Sequence, residues 1–173
     1  YRCRDRREPE RTSRIESLLL DDRQQDISGR IDDPGKRPLF TMARLDTIKN
    51  ITGLVEAFGR SEELKQRTNL IIVTGKVDRD KADSPEEKEQ IDLVYRLADE
   101  YGLHGSFRWL GIGLSRPDAA EVYRVIADHG GIFVQPALYE AFGLTVLEAM
   151  HSGLPTAATR YGGPLEIIRE GED

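Results

Sequence analysis

The sequence predicts an α/β fold, a doubly wound parallel sheet with helices on both faces, and three observations predict it. From Pro38 onward, short β-prone runs alternate with longer helical patterns. The β-prone runs are almost continuously apolar, which is typical of strands covered on both faces. Gly102, Gly130 and Gly153 stand just past three helical patterns, where a left-handed residue ends a helix. Ligands of such folds bind beyond the carboxyl ends of the strands, so the loops there are the candidate sites.

The elements follow in a regular order. The second helical pattern has a clear start, because Ser84 can cap it, Pro85 has a suitable fixed φ, and Glu86 favours the positive end of the helix dipole. Strands are predicted at 39–43, 70–74, 107–110, 131–135 and 155–158, and helices at 50–58, 84–101, 118–127, 142–151 and 164–169.

Residues 1–37 differ in composition from the rest. They contain ten Lys/Arg and nine Asp/Glu, too many charges for a core of their own. Ile15, Leu18 and Leu19 are spaced as i, i+3 and i+4, which predicts a short amphipathic helix that needs a surface to pack on. We therefore expect a charged arm with a short helix over 1–37 and a folded α/β domain over 38–173.

The composition excludes several classes of protein. The chain has 173 residues, 38% hydrophobic and 32% charged, and a net charge of −6, which suit one globular domain. No apolar run approaches the roughly 20 residues of a membrane span, and the negative charge argues against a large contact with nucleic acid. The single cysteine, Cys3, suggests a reducing, cytoplasmic compartment. The histidines lack the spacing of metal ligands, so no metal site is predicted.

The first candidate site is the loop after the first predicted strand, which contains two cations. Arg44 and Lys49 lie five residues apart, so both can face one pocket across the turn. A guanidinium and an ammonium together suit a diphosphate leaving group, one as a fork and the other as a point charge. The alternative is that both are ordinary surface cations.

The second candidate site is the loop after the fourth predicted strand, with the helix that follows it. Glu140 lies in the loop, and the helix opens around Phe142, Gly143 and Leu144 with backbone N–H groups that can hold an anion. Glu140 and Glu148 are eight residues apart, so both can border one ligand. The alternative is that these carboxylates are simply partners of the helix dipole.

The third candidate site is the segment 159–168, where Gly162, Gly163 and Pro164 open a helix. A diglycine at that position offers backbone donors and leaves room for a sugar. A tight turn between a strand and a helix explains the same residues equally well.

The motifs in these loops resemble those of sucrose synthase. The similar segments are MARLD at 42–46, FRW at 107–109, FVQP at 133–136, YEAFGLT at 139–145 and GGP at 162–164. The spacing of Glu140 and Glu148 is similar to the two-glutamate motif of retaining glycosyltransferases built from two facing α/β domains. The resemblance implies a Rossmann-like, donor-side half of such an enzyme, without its N-terminal domain and incomplete at its C-terminus. By the same resemblance, residues 38–173 would be a partial nucleotide-sugar-binding domain and residues 1–37 an interdomain segment.

The resemblance also implies a reaction. Sucrose and a nucleoside diphosphate (NDP) are interconverted with NDP-glucose and fructose, with retention at the anomeric carbon and without a required metal or other cofactor. The two loop cations would meet the diphosphate, the loop carboxylate the glucose hydroxyls, and the helix carboxylate the ribose. The implied catalytic residues are Arg44, Lys49 and Glu140, and the implied substrate-binding residues are Phe142, Gly143, Leu144, Thr145 and Glu148.

Two positions depart from the plant members of the family. In those members a Gln and an Asn hold uracil, whereas Gly113 and Ala119 occupy the matching positions here. Neither residue has a side chain that reads uracil, and both leave room for a larger purine. We therefore expect ADP to be favoured over UDP, as is associated with bacterial members.

The expected partners are small molecules, namely ADP-glucose or UDP-glucose, sucrose and fructose. The resemblance adds the missing N-terminal domain and a homo-oligomer of the full-length protein, and it implies neither nucleic acid nor membrane. The fragment alone is expected to be inactive. The nearest alternative is sucrose-phosphate synthase or another retaining glycosyltransferase, and the alternative from another class is a non-catalytic nucleotide-binding module.

Overall fold

A computed structural model describes residues 7–21 and 26–169 of the chain, and Cys3 lies outside these ranges. The described strands are β1 Ile27–Ile31, β2 Arg37–Met42, β3 Thr68–Thr74, β4 Ser106–Gly111, β5 Ile132–Gln135 and β6 Thr156–Ala158. The described helices are α1 Pro9–Leu20, α2 Ile51–Arg60, α3 Glu62–Arg67, α4 Pro85–Glu100, α5 Arg116–Asp128, α6 Leu144–His151 and α7 Pro164–Ile167.

The described strands form one six-stranded sheet in the order β1-β4-β3-β2-β5-β6. Strands β2 to β6 pair in parallel, which confirms the predicted parallel sheet. The chain moves outward from β2 through β3 and β4, and then crosses to β5 and β6 on the other side of β2. The strand order therefore reverses between β2 and β5, and the crevice at their carboxyl ends is the topological switch point where such sheets bind ligands.

Helices cover both faces of the sheet, which confirms the doubly wound architecture. Strand β3 is buried along its whole length and divides its side chains between two cores. Leu70 and Ile72 cluster with apolar residues of α2 and α4, whereas Ile71 and Val73 cluster with those of α1, α5 and α6. A strand between two helical layers has no polar face, so its sequence is a continuous apolar run.

Helix α1 and strand β1, both within the segment 1–37, pack against the α/β domain. Ile15, Leu18 and Leu19 of α1 are buried in the second core, as the predicted helix requires, and β1 pairs antiparallel with β4 at the edge of the sheet. Arg108 of β4, itself 2% exposed, donates two hydrogen bonds to Leu18 O, at 2.9 and 2.8 Å. Three cations of this segment, Arg7, Arg11 and Arg14, pair with carboxylates of α5.

The contact between α1 and α5 is built around one buried carboxylate. Glu121 is 1% exposed and accepts hydrogen bonds from Thr12 Oγ1 at 2.7 Å, Arg7 Nε at 2.8 Å and Arg124 Nη1 at 3.0 Å. Burial raises the pKa of Glu121, but these hydrogen bonds and the charge of Arg7 outweigh it, so the pKa lies below its ordinary value. Glu121 is therefore ionised at neutral pH and links α1 to α5 through its hydrogen bonds.

The sequence patterns do not predict β1, α3 or a short 3-10 helix at Arg79–Lys81. Strand β1 reads Ile-Ser-Gly-Arg-Ile, and Gly29 at φ 75° passes so close to β4 that a Cβ there would lie 2.3 Å from Phe107 O. A glycine in a short polar run lowers strand propensity, although here it is what permits the pairing. Helix α3 has only six residues, and Ser61 caps it by accepting from Leu64 N at 3.3 Å.

The ends of the longer helices follow local rules. Gly102, Gly130 and Gly153 have φ values of 59°, 65° and 83°, which confirms the predicted left-handed ends. Helix α5 begins two residues before its predicted start because Ser115 caps it, and α6 begins two residues after its predicted start, behind Gly143 at φ 93°. No helix in the described ranges has the length and apolar character needed to cross a bilayer.

Candidate active site

Three loops meet at the carboxyl ends of β2, β5 and β6, and they contain the three segments that the sequence singles out. Leu138 N donates to Ile48 O at 2.8 Å, which joins the loop after β5 to the loop after β2. Glu140 N donates to Tyr161 O at 3.0 Å, which adds the loop after β6. The first two loops flank the topological switch point, so the candidate residues lie where this sheet is expected to bind a ligand.

The carboxylate of Glu140 lies at the centre of this junction and accepts four hydrogen bonds. Its Oε2 accepts from Lys49 Nζ at 2.7 Å and from Gln135 Nε2 at 2.6 Å. Its Oε1 accepts longer bonds from the backbone N–H groups of Phe142, at 3.4 Å, and Gly143, at 3.3 Å. The side chains of Lys49 and Glu140 are 21% and 12% exposed, so the ion pair is largely shielded from water.

This environment keeps Glu140 ionised. Burial raises the pKa of its carboxyl, but the hydrogen bond and charge of Lys49, together with the N–H groups of Phe142 and Gly143, outweigh that effect and hold the pKa below its ordinary value. A general acid at neutral pH needs the opposite shift. The geometry therefore suits a carboxylate that accepts hydrogen bonds from the hydroxyl groups of a ligand.

The loop after β2 holds Lys49 firmly and leaves Arg44 in solvent. Lys49 N donates to Asp46 Oδ1 at 2.8 Å. The next residue, Asn50, has φ 53° and donates from its side chain to Pro136 O at 3.0 Å. The side chain of Arg44 is 85% exposed, with Nη2 3.4 Å from Asp46 Oδ2. Of the two cations predicted to face one pocket, the structure places Lys49 against Glu140 and leaves Arg44 extended.

The start of α6 combines exposed apolar side chains with occupied backbone donors. Phe142 and Leu144 are 63% and 64% exposed, and Thr145 and Glu148 are half-buried within the helix. The N–H groups of residues 142 and 143 already donate to Glu140, so its carboxylate occupies the anion-binding position at this helix start. Glu140 is therefore both a partner of the helix start, as the alternative interpretation has it, and the ion-pair partner of Lys49.

The diglycine brings the loop after β6 against Glu140. Gly163 N donates to Glu140 O at 2.8 Å. A Cβ at Gly162, which has φ 99°, would lie 1.9 Å from Glu140 O, and one at Gly163 would lie 2.1 Å from Phe142 O. The close approach of the two backbones therefore requires glycine at both positions. The tight-turn explanation accounts for these residues without a ligand.

Of the two positions expected to face a nucleobase, Gly113 lies in the loop after β4 and Ala119 in the first turn of α5. Gly113 is exposed, and a Cβ added there would meet no described atom within 4 Å. Ala119 is half-buried near the start of α5. The loop is anchored by Asp118, whose carboxylate accepts from Ser115 Oγ at 2.8 Å and from Arg14 of α1 at 2.5 Å. Helix α1 therefore helps to hold this loop in place.

Gln135 is the member of the site to which the sequence analysis gives no role. It ends the apolar strand β5 and is 5% exposed, with its amide directed at Glu140. The available signal is a polar residue closing an apolar strand at the edge where ligands bind. Buried amides are almost always hydrogen-bonded, so such a residue must serve a neighbouring polar group.

The sequence matches a family of known proteins over most of its length. Residues 22–173 match the family model described as Glycosyl transferases group 1. Sucrose synthase from Thermosynechococcus vestitus is 57% identical over 173 residues, which cover 99% of this chain and 21% of that protein. Sucrose synthase from Melioribacter roseus is 57% identical over 159 residues, which cover 91% of this chain and 20% of that protein. The chain thus spans about a fifth of the length of these relatives.

Solved structures agree with the fold. HepE from Anabaena, crystallised in complex with UDP and glucose, superposes with a TM-score of 0.67 at 18% identity. The superposition covers 95% of this chain and 37% of that chain. The likeness supports the doubly wound α/β architecture of the sheet and its helices.

Proposed function

The chain belongs to the family Glycosyl transferases group 1, and we propose that it is the donor-binding part of a retaining glucosyltransferase of the sucrose synthase type. The observation that carries the proposal is the ion pair of Lys49 and Glu140, 2.7 Å apart at the topological switch point. It offers a cation for a diphosphate and a carboxylate for sugar hydroxyls in one crevice. The 57% identity to two sucrose synthases supports this type of reaction.

The proposed reaction moves a glucosyl group between two oxygen atoms. In the direction of cleavage, the bond from glucose C1 to the fructosyl oxygen of sucrose breaks, and a bond from C1 to a terminal phosphate oxygen of the NDP forms. The fructosyl oxygen takes up a proton and leaves as fructose. In the direction of synthesis the NDP leaves instead, and the charge that grows on it must be met by donors already in place.

The two cations of the loop after β2 meet this charge in the proposal. Lys49 already lies in the crevice, held by its backbone bond to Asp46 at 2.8 Å. Arg44 is exposed and its Nη2 is 3.4 Å from Asp46 Oδ2, so it can turn toward a bound diphosphate without breaking a buried contact. Lys49, by contrast, has to exchange Glu140 for the diphosphate or share its charge between them.

The sugar end of the donor lies at Glu140 and the start of α6. The lowered pKa of Glu140 supports its role as an acceptor for glucose hydroxyls, because the carboxylate stays ionised at neutral pH. The backbone of residues 142–144 borders the sugar and phosphate, with Thr145 beside it, and Glu148 accepts from the ribose hydroxyls. At the base end, Gly113 and Ala119 offer no side-chain hydrogen bond to uracil, so ADP is favoured over UDP.

The remaining parts of the proposal concern the whole protein. The acceptor is held by an N-terminal domain outside this chain, and the full-length protein is a cytoplasmic homo-oligomer that needs no metal for the transfer. The 173-residue chain alone is then inactive, because holding the acceptor against the anomeric carbon contributes about 7–11 kcal/mol of the barrier lowering.

Product analysis with the full-length protein tests the proposal. Sucrose incubated with ADP or UDP is expected to yield fructose and NDP-glucose in equal amounts, with the α configuration at glucose C1 retained, and to yield neither product without an NDP. Release of free glucose in place of NDP-glucose would identify a hydrolase. Absence of fructose with both nucleotides would refute the proposal.

A further inference from the structure

Gln135 is buried at the switch point, and both ends of its amide are engaged. Its Nε2 donates to Glu140 Oε2 at 2.6 Å, while its Oε1 accepts from Ala137 N at 3.3 Å. Its backbone oxygen accepts from Thr159 N at 3.1 Å, which ties the end of β5 to the loop after β6. The N–H of Ala137 fixes which end of the amide is the acceptor, so the NH₂ group is left to face Glu140.

We propose that Gln135 is a positioning residue that holds Glu140 at the sugar end of the donor site when Lys49 turns to the diphosphate. This inference rests on the proposed function. It concerns a residue that touches neither the diphosphate nor the sugar in that proposal, and that acts only through the carboxylate it binds.

One carboxylate oxygen of Glu140 is shared by two side-chain donors. Lys49 and Gln135 donate to the same Oε2 of Glu140, at 2.7 and 2.6 Å. A bound NDP carries more negative charge than a single carboxylate, so it attracts the ammonium of Lys49 more strongly. Once Lys49 turns away, Glu140 keeps two backbone bonds of 3.4 and 3.3 Å and the bond from Gln135. Of these three remaining described hydrogen bonds, the one from Gln135 is the shortest and the only one with a side-chain donor.

The chemistry of an amide fits this task better than that of a cation. A second cation beside Oε2 would neutralise the carboxylate and weaken it as an acceptor for glucose hydroxyls. An amide donates one directed hydrogen bond without adding charge, and its burial, at 5% exposed, limits its rotation. Because Oε2 has more than one acceptor direction, a glucose hydroxyl can take the position that Lys49 leaves.

A substitution that removes the donor but keeps the length of the side chain tests the inference. In the full-length protein, Gln135→Met is expected to lower kcat for sucrose cleavage roughly 10- to 100-fold, the range for one hydrogen bond to a charged group. The Kd for NDP is expected to stay within about twofold, because Lys49 and the phosphate contacts are untouched. Gln135→Asn, which keeps an amide but shortens the side chain by one methylene, is also expected to lower kcat and to leave the Kd for NDP unchanged.

A double-mutant comparison separates positioning from general damage. In a Glu140→Gln background, Gln135→Met is expected to lower kcat less than about threefold further, since the carboxylate it serves is gone. The matched control is Gln90→Met, which removes a Gln that accepts from Thr52 Oγ1 at 3.2 Å between α4 and α2, away from the site. This control is expected to keep wild-type kcat and Kd.

Each outcome bears on a different claim. Three results would overturn the positioning role while the wild-type protein still cleaves sucrose. They are an unchanged kcat in both Gln135→Met and Gln135→Asn, a loss of NDP affinity as large as the loss of kcat, and fully additive effects of Gln135→Met and Glu140→Gln on kcat. An inactive wild-type protein would refute the proposed function and this inference with it. If Gln135→Met unfolds, the Asn variant decides the question with the same two measurements.

Discussion

We predict that a substitution at Gly113, where the structure offers space, changes the proposed base preference. Gly113 is exposed, lies outside the positive-φ region, and has no described atom within 4 Å of an added Cβ, so Gly113→Gln requires no rearrangement. The family resemblance implies that a Gln at this position would hold uracil. We expect Gly113→Gln in the full-length protein to raise the affinity for UDP relative to ADP.

The magnitude follows from one new hydrogen bond on an exposed side chain. A net contribution of about 0.5–1.5 kcal/mol to UDP binding corresponds to roughly a two- to tenfold change in Kd. The ordering of a Gln side chain opposes part of this gain. The same side chain occupies space that a purine would use, so the affinity for ADP is expected to fall slightly. Adding Ala119→Asn, near the start of α5, is expected to extend the shift in the same direction.

Calorimetric titration of ADP and UDP measures the two affinities directly. The wild-type protein is expected to bind ADP at least as tightly as UDP. Gly35→Gln is the matched control, because it adds the same side chain in the turn before β2, at the opposite edge of the sheet, where only the exposed Asp33 side chain has to shift. The control is expected to leave both affinities unchanged.

Two results would refute this reasoning. Binding of UDP at least tenfold tighter than ADP by the wild-type protein, a difference of about 1.4 kcal/mol, would show that other groups read the base. An unchanged ratio of the two affinities in Gly113→Gln and in the double variant would show that the base does not lie against this loop. The second result would leave the roles of Lys49 and Glu140 standing.

Three further predictions concern charged residues. Arg44→Ala is expected to lower turnover about 100- to 1,000-fold without moving the thermal unfolding midpoint, because the side chain is 85% exposed; near-normal turnover would remove it from the diphosphate site. Glu140→Gln is expected to impair sugar transfer while NDP affinity, measured by calorimetry, is unchanged or tighter, because Lys49 is released; a matching loss of NDP affinity would show that the carboxylate is misassigned. Glu121→Gln is expected to speed amide hydrogen exchange in α1 by the equivalent of about 1–3 kcal/mol relative to β3, and unchanged exchange would contradict its anchoring role. Because the folded pKa of Glu121 is lowered, its stabilisation of α1 is complete above the ordinary value of 4.5 and is lost as the pH falls through the lower folded value.

The parallel strands could be predicted because a strand covered by helices on both faces is a continuous apolar run. Strand β3 is buried on both faces, so all seven of its positions are buried and five consecutive ones can be recognised by composition alone. Strand β1 breaks the rule, since its pairing with β4 depends on Gly29 passing close to Phe107, a tertiary requirement that has no local pattern. The packing of α1 could not be predicted for a similar reason. Arg7 and Arg14 are typical of a solvated arm in composition, and their carboxylate partners lie far along the chain, on α5.

At the candidate site, the sequence indicates which loops come together but not which of their side chains point toward one another. Lys49 and Glu140 are 91 residues apart in sequence, and their proximity follows from the strand order that puts β2 beside β5. The rule that ligands bind at carboxyl ends of strands therefore brings the right loops together. It does not say which side chain of a loop turns inward, and Arg44 and Lys49 differ in this respect. Gln135 escaped notice because the apolar residues before it dominate the strand pattern.

The ion pair at the switch point gives the proposed donor site a defined order of events. Lys49 and Glu140 form an ion pair, and Glu140 also accepts from the N–H groups at the start of α6. A diphosphate that draws Lys49 away leaves Oε2 able to accept a new hydrogen bond, and a glucose hydroxyl is the donor that the substrate brings. Nucleotide binding thus prepares the sugar contact, while a sugar arriving first finds Oε2 already shared between Lys49 and Gln135. If the proposed function holds, we therefore expect sucrose to bind more tightly in the presence of the NDP than in its absence.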